Sequence, residues 1–266
     1  MSGKPLPHSG RTALITGSTS GIGLGIAKAL ARNGANVVLN GLGTDEDIAA
    51  AISEVRKSAS GEVQYAPANM LVPDEIGQMI ADANDQFSGI DILINNAGIQ
   101  YVSPIQEFPI EKWDDIIAIN LSSSFHTIRA TTPGMIEKGW GRIVNVASIH
   151  ALVASPFKAA YVAAKHGIAG LTKTIALELA TKNITVNAVA PGYVKTPLVT
   201  GQIADTARAR GMTEKEVVED VMLAAQPTKR LVTIEQVADL VLYLCSEQAS
   251  AITGSILPVD GGWSAH

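Results

Sequence analysis

The feature that most constrains how this chain can fold is a regular alternation of short apolar runs with longer segments of helical periodicity. Between the runs, apolar residues recur at three- and four-residue spacing, as at Ile48, Ile52 and Val55, which predicts amphipathic helices. Because parallel strands need a crossover of about a dozen residues or more, this order predicts an α/β fold with a doubly wound, seven-stranded parallel sheet and helices on both faces. The predicted strands are 12–16, 36–40, 62–67, 90–95, 142–147, 184–190 and 255–259.

Residues 11–266 are predicted to form one domain, because no internal repeat or low-complexity linker divides them and 47% of the 266 residues are hydrophobic. Residues 1–10 are predicted to be a flexible N-terminal extension. The crossover 191–226 is longer and more irregular than the others, and we predict that it is a mobile lid over the active site. Capping patterns at 44–47 and 233–236 mark the starts of two helices.

The formal net charge of −5 comes without a basic block, so the sequence gives no support for a nucleic-acid partner or an anionic membrane surface. Residues 1–11 lack the apolar core of a signal peptide, and no apolar stretch reaches the roughly 18 residues that span a membrane. We therefore expect a soluble, cytoplasmic protein that acts on a small molecule. The single cysteine, Cys245, excludes an intrachain disulfide and is expected to be a buried thiol, and no metal site is expected.

A glycine-rich turn follows the first predicted strand. Within the segment 16–23, Gly17, Gly21 and Gly23 have Gly-x3-Gly-x-Gly spacing, and a helical segment follows. Such a turn lets the backbone approach a pyrophosphate and directs the positive end of a helix at it. A glycine cluster alone fits an ordinary turn equally well, but its position directly after the first strand favours dinucleotide binding.

A second motif, Asn95-Asn96-Ala97-Gly98, ends the fourth predicted strand, at the sheet edge where ligands of open α/β sheets bind. Together the two motifs resemble the short-chain dehydrogenase/reductase family, and the resemblance covers residues 11–263 in unbroken order. The other positions that match the family are Asn120, Ser148, Tyr161, Lys165, Pro191 and Gly192. The resemblance implies a single-domain Rossmann-like fold, NAD or NADP as cofactor and often a homotetramer formed through the long helices.

The resemblance also implies which residues bind the cofactor. NAD is expected rather than NADP, because neither Ser20 nor the segment 40–43 offers a cation to a 2′-phosphate. No acidic residue follows the second strand to receive the ribose 2′-hydroxyl, so Asn40 or nearby backbone is expected to replace it. Asn69 stands where the family usually has an aspartate that contacts the adenine. The implied cofactor-binding residues are Gly17, Thr19, Ser20, Gly21, Ile22, Gly23, Asn40, Asn69, Met70, Asn96, Ala97, Gly98, Tyr161, Lys165, Pro191, Gly192, Val194 and Thr196.

Tyr161 and Lys165 are four residues apart in a predicted helix and therefore share one face. An isolated pair of this kind is usually an ordinary surface pair, but here Ser148 closes a strand just upstream and Asn120 precedes it. By family resemblance, Tyr161 exchanges a proton with the substrate and Ser148 hydrogen-bonds the reacting oxygen. The resemblance further implies that Lys165 binds the nicotinamide ribose and that Asn120 holds a water linking Lys165 to solvent.

The pKa of Tyr161 decides whether it can act as a base. Lowering a phenol pKa from about 10 to about 7 needs about 4 kcal/mol. One cation about 4 Å away supplies about that much at an effective dielectric near 20. Because burial of the phenol opposes the shift, Lys165 and the positive ring of oxidised nicotinamide are expected to act together.

Polar residues outside the general family motifs indicate the substrate. Taken singly each is more often solvated, but together they suit a small anion. The same set matches bacterial D-3-hydroxybutyrate dehydrogenases, a group that this chain also resembles at Asn40-Gly41 and over 161–167. That resemblance implies that four residues bind the substrate carboxylate, Gln100, His150, Lys158 and Gln202, and that Tyr193 and Trp263 form the apolar side of the pocket. The implied reaction is the reversible, NAD-dependent oxidation of (R)-3-hydroxybutyrate to acetoacetate.

Two other functions remain open at this point. A reductase of 3-oxoacyl thioesters has the same fold and catalytic residues, but it has no substrate carboxylate for Lys158 to bind. A nucleotide-binding sensor or scaffold without turnover would keep the fold and lose catalytic side chains, since a fold does not fix a function. All four catalytic residues are present here, which favours an enzyme.

Overall fold

The computed structural model describes residues 6–265, which form one seven-stranded sheet with strictly parallel pairing. The strands are β1 (Thr12–Ile15), β2 (Asn36–Leu39), β3 (Val63–Tyr65), β4 (Ile92–Asn95), β5 (Gly141–Val146), β6 (Ile184–Pro191) and β7 (Ile256–Val259). Their order across the sheet is β3-β2-β1-β4-β5-β6-β7. The prediction of a doubly wound, seven-stranded parallel sheet is confirmed.

Helices connect the strands and cover both faces of the sheet. The principal helices are α1 (Gly21–Arg32), α2 (Asp45–Arg56), α3 (Pro73–Phe87), α4 (Ile110–Ile117), α5 (Ser123–Lys138), α6 (Ala159–Leu179), α7 (Pro197–Arg210) and α10 (Ile234–Leu244). A π-helical turn at Ala118–Ser122 joins α4 to α5. A second one, at Val217–Met222, lies between the short helices α8 (Glu214–Glu216) and α9 (Leu223–Ala225).

Successive residues of the central strands point to opposite faces of the sheet. In β1, Ala13 and Ile15 pack in the apolar cluster that contains residues of α1 and α10, whereas Leu14 packs in the cluster that contains residues of α3 and α5. In β4, Leu93 lies on the same face as Leu14. Because both faces of these strands are buried, they appear in the sequence as continuous apolar runs.

The strand order reverses at β1, and this reversal creates the functional crevice. From β1 the chain continues outward to β2 and β3, and it then returns to form β4 on the other side of β1. Leu14 consequently pairs with Val38 on one side and Leu93 on the other. The connections after β1 and β4 leave in opposite directions, so a crevice opens between them at the carboxyl edge of the sheet.

The structure differs from the sequence-based expectations in three places. Strand ends shift by one or two residues, most clearly at the third strand, which was expected over 62–67 and spans Val63–Tyr65. The crossover 191–226 is mostly helical rather than irregular, since it contains α7, α8 and α9. Of the predicted extension 1–10, residues 1–5 lie outside the described range, and the rest packs on the domain, with the buried His8 donating its N–H to the Asn33 carbonyl at 2.9 Å.

The Cys245 thiol is fully buried at the end of α10, as expected from its apolar neighbours. Burial raises its pKa to about 12, so it stays a neutral thiol and a poor nucleophile. Among residues 6–265, no helix has the length and apolar character that a membrane crossing requires.

Candidate active site

A groove of about 330 Å³ opens at the carboxyl ends of β1 and β4. All of the predicted cofactor-binding residues line it except Gly23. Ser148, Tyr161 and Lys165 lie along the same groove, so the two glycine-containing motifs and the catalytic residues form one continuous surface. Sequence reasoning did not identify several other lining residues, namely Leu42, Ile119 and the segment 197–199.

The N-terminus of α1 is open to an anion. Its N-cap residue, Ser20, makes no side-chain capping bond, and its first turn carries no acidic residue. In contrast, α2 begins with a capping box in which Thr44 and Asp47 satisfy each other's backbone N–H groups. The free N–H groups and the positive end of the dipole of α1 therefore remain available to a diphosphate.

The glycines of the first motif allow the loops to approach each other closely. Gly17 has a φ of +61°, and a Cβ on it would lie 2.8 Å from Cα of Ala97. A Cβ on Gly23 would lie 2.3 Å from the Gly17 carbonyl oxygen. Gly23 therefore packs α1 against the turn and does not itself line the groove, which corrects its expected role as a cofactor contact.

Thr16 and Asn96 join the two motifs across the crevice. The Asn96 side-chain N–H groups donate to the carbonyls of Thr16 at 3.0 Å and Gly17 at 2.8 Å. In the other direction, the Thr16 hydroxyl oxygen accepts from the N–H groups of Asn96 and Ala97, both at 3.0 Å. These four bonds fix the floor of the groove.

The Asn40 side chain lines the groove, and its expected contact with the ribose hydroxyl stays a prediction. Asn40 is fully buried, and its amide donates both N–H groups to backbone carbonyls, at 3.0 Å to Ala66 and 2.8 Å to Ala68. It therefore anchors the end of β2. The alternative expectation, nearby backbone, fits better, because Gly41 and Leu42 line the groove.

The Asn69 side chain has one of its two hydrogen-bonding groups free for a ligand. It lines the groove, and its side-chain oxygen accepts from the Leu71 N–H at 3.0 Å. The side-chain NH₂ has no partner among the described residues. An amide in this state can donate a hydrogen bond to a ring nitrogen, a bond for which a carboxylate has no donor.

The catalytic side chains converge where β5 and α6 meet. Ser148, two residues after β5, accepts the His150 N–H at 3.2 Å, and it lies near enough to the Tyr161 hydroxyl to lower the pKa of that phenol. Lys165 donates to the Val146 carbonyl at 2.8 Å, and its Nζ lies 5.6 Å from the centre of the Tyr161 ring. Ser148 and Lys165 are buried and Tyr161 is half-buried, which strengthens the charge interactions among them.

Burial outweighs the Lys165 charge at Tyr161. Burial raises the pKa of Tyr161 to about 12, against the smaller lowering effect of the Ser148 hydrogen bond. Burial also lowers the pKa of Lys165 to about 8. The expected pull of Lys165 on the phenol is thus insufficient within the chain alone, and a further positive charge beside Tyr161 is needed to make it a base near neutral pH.

Asn120 lies in the π-helical turn at Ala118–Ser122 and is buried. Its side-chain oxygen accepts the Ile99 N–H and its side-chain NH₂ donates to the Ile99 carbonyl, both at 2.9 Å. This pair of bonds positions the end of the second motif against α4 and α5. The expected water between Asn120 and Lys165 stays a prediction.

Four of the six predicted substrate residues form a continuous series of contacts that begins at Tyr161. The His150 ring lies 6.1 Å from the Tyr161 ring and 5.5 Å from Trp263. Trp263 stacks on Tyr193 with ring centres 5.3 Å apart, and Nζ of Lys158 lies 5.5 Å from the Tyr193 ring centre. Gln202 is buried on α7, whose apolar residues pack against Tyr193.

Polar groups of the predicted substrate residues have unmet hydrogen-bonding capacity. Gln100 Nε2 and His150 Nδ1 are two of the buried side-chain atoms that lack a partner among the described residues, although no contact joins Gln100 to the series that begins at Tyr161. Lys158 is only 5% exposed and forms no ion pair with any residue that the structure describes. Leaving such groups unpaired costs about 1–3 kcal/mol each, so their presence together indicates a ligand that satisfies them.

The pocket is positively charged at neutral pH. Burial, followed by the Lys158 charge, lowers the pKa of His150 to about 4, so the imidazole is neutral. Burial, followed by the charge of Arg210, lowers the pKa of Lys158 to about 8. Lys158 therefore keeps its proton at pH 7, and His150 offers a neutral ring for hydrogen bonding.

Sequence reasoning missed two residues that hold the pocket together. Gln226 is fully buried, and it accepts the Tyr193 N–H and donates to the Arg230 carbonyl. Asp260 accepts the N–H groups of Gly262 and Ser264 at 2.9 and 2.7 Å, which fixes the turn that carries Trp263. The Asp-Gly-Gly sequence at 260–262 is a turn signal that could have identified Asp260. No local sequence pattern distinguishes Gln226.

Comparison with known proteins identifies the family. A family model described as "Enoyl-(Acyl carrier protein) reductase" matches residues 17–264. The D-beta-hydroxybutyrate dehydrogenase of Rhizobium meliloti is 60% identical, over 96% of this chain and 99% of that protein, and the protein of the same name from Cupriavidus necator is 51% identical, over 97% and 99%.

More distant relatives have the same fold. A 3-oxoacyl-(acyl-carrier-protein) reductase of Staphylococcus epidermidis is 38% identical, over 95% of this chain and 98% of that protein. The crystal structure of an actinorhodin polyketide ketoreductase variant with NADPH superimposes with a TM-score of 0.91 at 34% identity, over 96% of this chain and 98% of that one. Fold, motifs and relatives agree that this chain is an oxidoreductase that belongs to the short-chain dehydrogenase/reductase family.

Proposed function

We propose that this protein catalyses the reversible, NAD-dependent oxidation of (R)-3-hydroxybutyrate to acetoacetate. The observation that carries the proposal is a buried cation, Lys158, without an acidic partner among the described residues and with its charge acting on His150, whose Nδ1 atom is also unpaired. The names of the Rhizobium and Cupriavidus relatives support it.

The proton transfer belongs to Tyr161. The residues that line the groove would hold a nicotinamide cofactor, which would supply a hydride acceptor and, when oxidised, a positive charge. Tyr161 takes the hydroxyl proton, and Ser148 hydrogen-bonds the reacting oxygen. Because burial raises the pKa of Tyr161 to about 12, the phenol would need a nearby positive charge, such as that of an oxidised nicotinamide, to act as a base near neutral pH.

The carboxylate of the substrate is bound at the far side of Tyr161. Lys158 supplies the charge, and Gln100 and His150 supply hydrogen bonds from atoms that otherwise have none. Gln202 completes the set from α7. Trp263, whose ring lies against those of His150 and Tyr193, limits the length of the chain beyond the carbonyl carbon.

NAD rather than NADP is the proposed cofactor. Among the described residues that line the groove, Lys165 is the one cation, and it lies at the catalytic end. At the ribose end, the first turn of α2 carries acidic residues at 45–47, and the charge of Asp45 reaches Tyr65, whose hydroxyl donates to the Gly41 carbonyl at 2.7 Å. This negative environment disfavours a 2′-phosphate.

We further propose that the enzyme is a cytoplasmic homotetramer. Large apolar side chains are exposed on three successive helices: Ile110 on α4, Phe125 on α5 and Leu177 on α6, which is 81% exposed. Exposed apolar surface is typical of subunit interfaces. A fully reduced, buried Cys245 suits a reducing compartment. Sedimentation of the purified protein tests the assembly.

The function is tested by following NADH formation with a panel of alcohols. The panel contains both enantiomers of 3-hydroxybutyrate, the methyl ester and the coenzyme A thioester of the R enantiomer, with NAD and NADP in separate assays. We expect turnover with the free R acid and NAD, and at least about 100-fold lower kcat/KM with the thioester, because the thioester leaves Lys158 unpaired. Preference for the thioester would instead assign the protein as a 3-oxoacyl thioester reductase, and absence of turnover with every alcohol would favour a non-catalytic nucleotide-binding protein.

A further inference from the structure

The stack of Tyr193 on Trp263 is assembled from two separate segments of the chain. Tyr193 follows the end of β6, and Trp263 follows the end of the neighbouring strand β7. The ring centres are 5.3 Å apart, at an interplanar angle of 25°. Both residues lie beyond the last register pair of the two strands, Pro191 with Val259. Pairing within the sheet therefore does not by itself fix one ring against the other.

Gln226 holds the Tyr193 side of the stack. It is fully buried, its side-chain oxygen accepts the Tyr193 N–H at 2.5 Å, and its side-chain NH₂ donates to the Arg230 carbonyl at 2.5 Å. A Cβ on Gly192 would overlap the same side-chain oxygen, so the amide packs directly against the backbone at the end of β6. The side chain thus uses its acceptor and a donor in one buried position.

The segment 226–228 also contacts the turn that carries Trp263. A Cβ on Gly261 would lie 3.3 Å from Cβ of Gln226, and the Thr228 N–H donates to the Gly261 carbonyl at 3.1 Å. A Cβ on Gly262 would lie 3.4 Å from the ring of Pro227. The segment therefore packs between the end of β6 and the turn at 260–262, and Gln226 joins the two.

The two rings of the stack border the proposed carboxylate-binding residues. The Trp263 ring lies 5.5 Å from the His150 ring, and Nζ of Lys158 lies 5.5 Å from the centre of the Tyr193 ring. Because protein interiors are close-packed, displacement of one ring changes the space beside its neighbours. Gln226 does not line the dinucleotide groove, so any effect that it has on substrate acts through the stack.

We propose that Gln226 is a positioning residue that holds the Tyr193–Trp263 stack in place and thereby sets the chain length of the acid that the pocket accepts. This inference rests on the proposed function, because it takes the substrate to be a small 3-hydroxy acid. With the stack held, Trp263 closes the pocket beyond 3-hydroxybutyrate. With the stack released, the pocket admits 3-hydroxypentanoate, which is one methylene longer.

Substitutions at position 226 separate the hydrogen bonds from the volume of the side chain. Gln226→Met keeps the length and loses both bonds, and Gln226→Asn keeps the amide but is one methylene too short to reach both partners. Gln226→Glu keeps both bonds at pH 6, because burial favours the neutral acid, which accepts through one oxygen and donates through the other. Gln236→Met is the matched control, since the Gln236 side-chain oxygen also accepts a backbone N–H, from Thr233 at 3.0 Å, but is exposed at the start of α10.

The experiment measures kcat/KM for (R)-3-hydroxypentanoate and (R)-3-hydroxybutyrate at pH 6 in the full-length enzyme. One methylene in an apolar pocket changes kcat/KM by about 10- to 200-fold, so we expect Gln226→Met to raise the ratio of the longer to the shorter acid by about 10-fold. Gln226→Asn should raise it in the same direction, and it replaces Gln226→Met if circular dichroism shows that variant unfolded. Gln226→Glu and Gln236→Met should stay within about 2-fold of wild type.

A double substitution distinguishes positioning from a general loss of stability. In Trp263→Ala the ratio is already raised, and adding Gln226→Met should change it by less than about 2-fold, because both substitutions act through one contact. A merely structural role for Gln226 would lower the temperature of unfolding and both kcat/KM values together, with the ratio unchanged.

Binding of butyrate and pentanoate to the NADH complex provides a turnover-independent measurement. These acids have the carboxylate and lack the hydroxyl, and Gln226→Met should shift their relative affinity toward pentanoate by about the same factor. If neither ratio changes in Gln226→Met and Gln226→Asn while the wild type oxidises 3-hydroxybutyrate, the positioning role is overturned and the proposed function is intact. If the wild type oxidises neither hydroxy acid but the relative affinity still shifts, the function is wrong and the positioning role stands. Absence of both turnover and the shift overturns both.

Discussion

The dinucleotide groove presents mainly backbone atoms and small side chains to a ligand, whereas the pocket beyond Tyr161 presents buried ionisable side chains. In the groove, the binding groups are the free N–H groups of α1 and the glycine turns around it. In the pocket, they are Lys158 and His150, whose pKa values are both lowered by burial. The empty groove leaves few buried polar atoms unpaired, so its free-energy cost is small. The empty pocket leaves buried polar atoms unpaired until a ligand binds them.

This contrast indicates where specificity resides. A backbone cradle binds any dinucleotide of the right shape, so the groove fixes the class of cofactor. A buried cation without a partner discriminates strongly between a carboxylate and an uncharged group, because the wrong ligand leaves it unpaired. The two regions meet at Tyr161. This residue selects neither the cofactor nor the substrate, and its role is the proton transfer.

The largest effect is expected from removing the group at the junction. Tyr161→Phe deletes the proton acceptor and should lower kcat by about 10³-fold or more, within the range for loss of a general base. NADH binding should not change, because the groove stays intact. Tyr243→Phe, an exposed tyrosine on α10, is the matched control. Residual turnover above about 10% of wild type would show that another group is the base.

The next largest effect is expected within the pocket. Lys158→Ala leaves the substrate carboxylate in a buried site without its cation, and we expect kcat/KM for 3-hydroxybutyrate to fall by about 100-fold or more, as for truncation of a buried charge pair. Affinity for NADH should stay within about 2-fold, because Lys158 does not line the groove. Lys195→Ala removes an exposed lysine and serves as control. Equal losses of substrate and cofactor binding would contradict the separation of the two regions.

The same contrast explains which parts of the site the sequence predicts. The groove is encoded by two local motifs, each a turn directly after a strand, and all but one of its expected residues line it. The exception, Gly23, was misassigned because spacing cannot distinguish a glycine that faces the ligand from one that faces another loop. The sequence also could not show that the buried amide of Asn40 donates to the carbonyls of Ala66 and Ala68, which are distant in sequence.

The pocket depends on long-range packing and is less accessible from the sequence. Resemblance to a known group gave its six expected residues, but no local pattern predicts that the Gln226 side chain accepts the Tyr193 N–H. At Tyr161 the sequence predicts that burial opposes the Lys165 charge, but only the packed structure shows that burial raises the phenol pKa to about 12. The seven strands were predictable because each is a continuous apolar run, and only their ends shifted.

A pH titration separates the two regions without mutation. Lys158, with its pKa lowered to about 8, is charged below that pH and neutral above it. Butyrate binding to the NADH complex should therefore be nearly constant up to about pH 7.5 and weaken by up to about 10-fold per unit above pH 8, as expected for a single required proton. NADH affinity is measured in parallel, because Lys165, whose pKa is also lowered to about 8, lines the groove. In Lys158→Ala the decline should disappear, and a decline that persists there would assign the titration to another group.

The smallest effect is expected in the groove, where an added charge must act from an exposed position. Leu42 lines the ribose end of the groove, and 77% of its surface is exposed. Leu42→Arg offers a cation to a 2′-phosphate, but an exposed ion pair contributes at most about 1 kcal/mol, so we expect the NADP to NAD ratio of kcat/KM to rise by only about 5-fold. Leu42→Gln controls for the loss of the leucine. KM for 3-hydroxybutyrate should be unchanged in both variants. Position 42 lies at the ribose end of the groove, and a substitution there does not contact the buried cations that bind the substrate. If KM for 3-hydroxybutyrate changed together with the cofactor preference, substrate binding in the pocket would depend on the groove, and the two regions would not be independent.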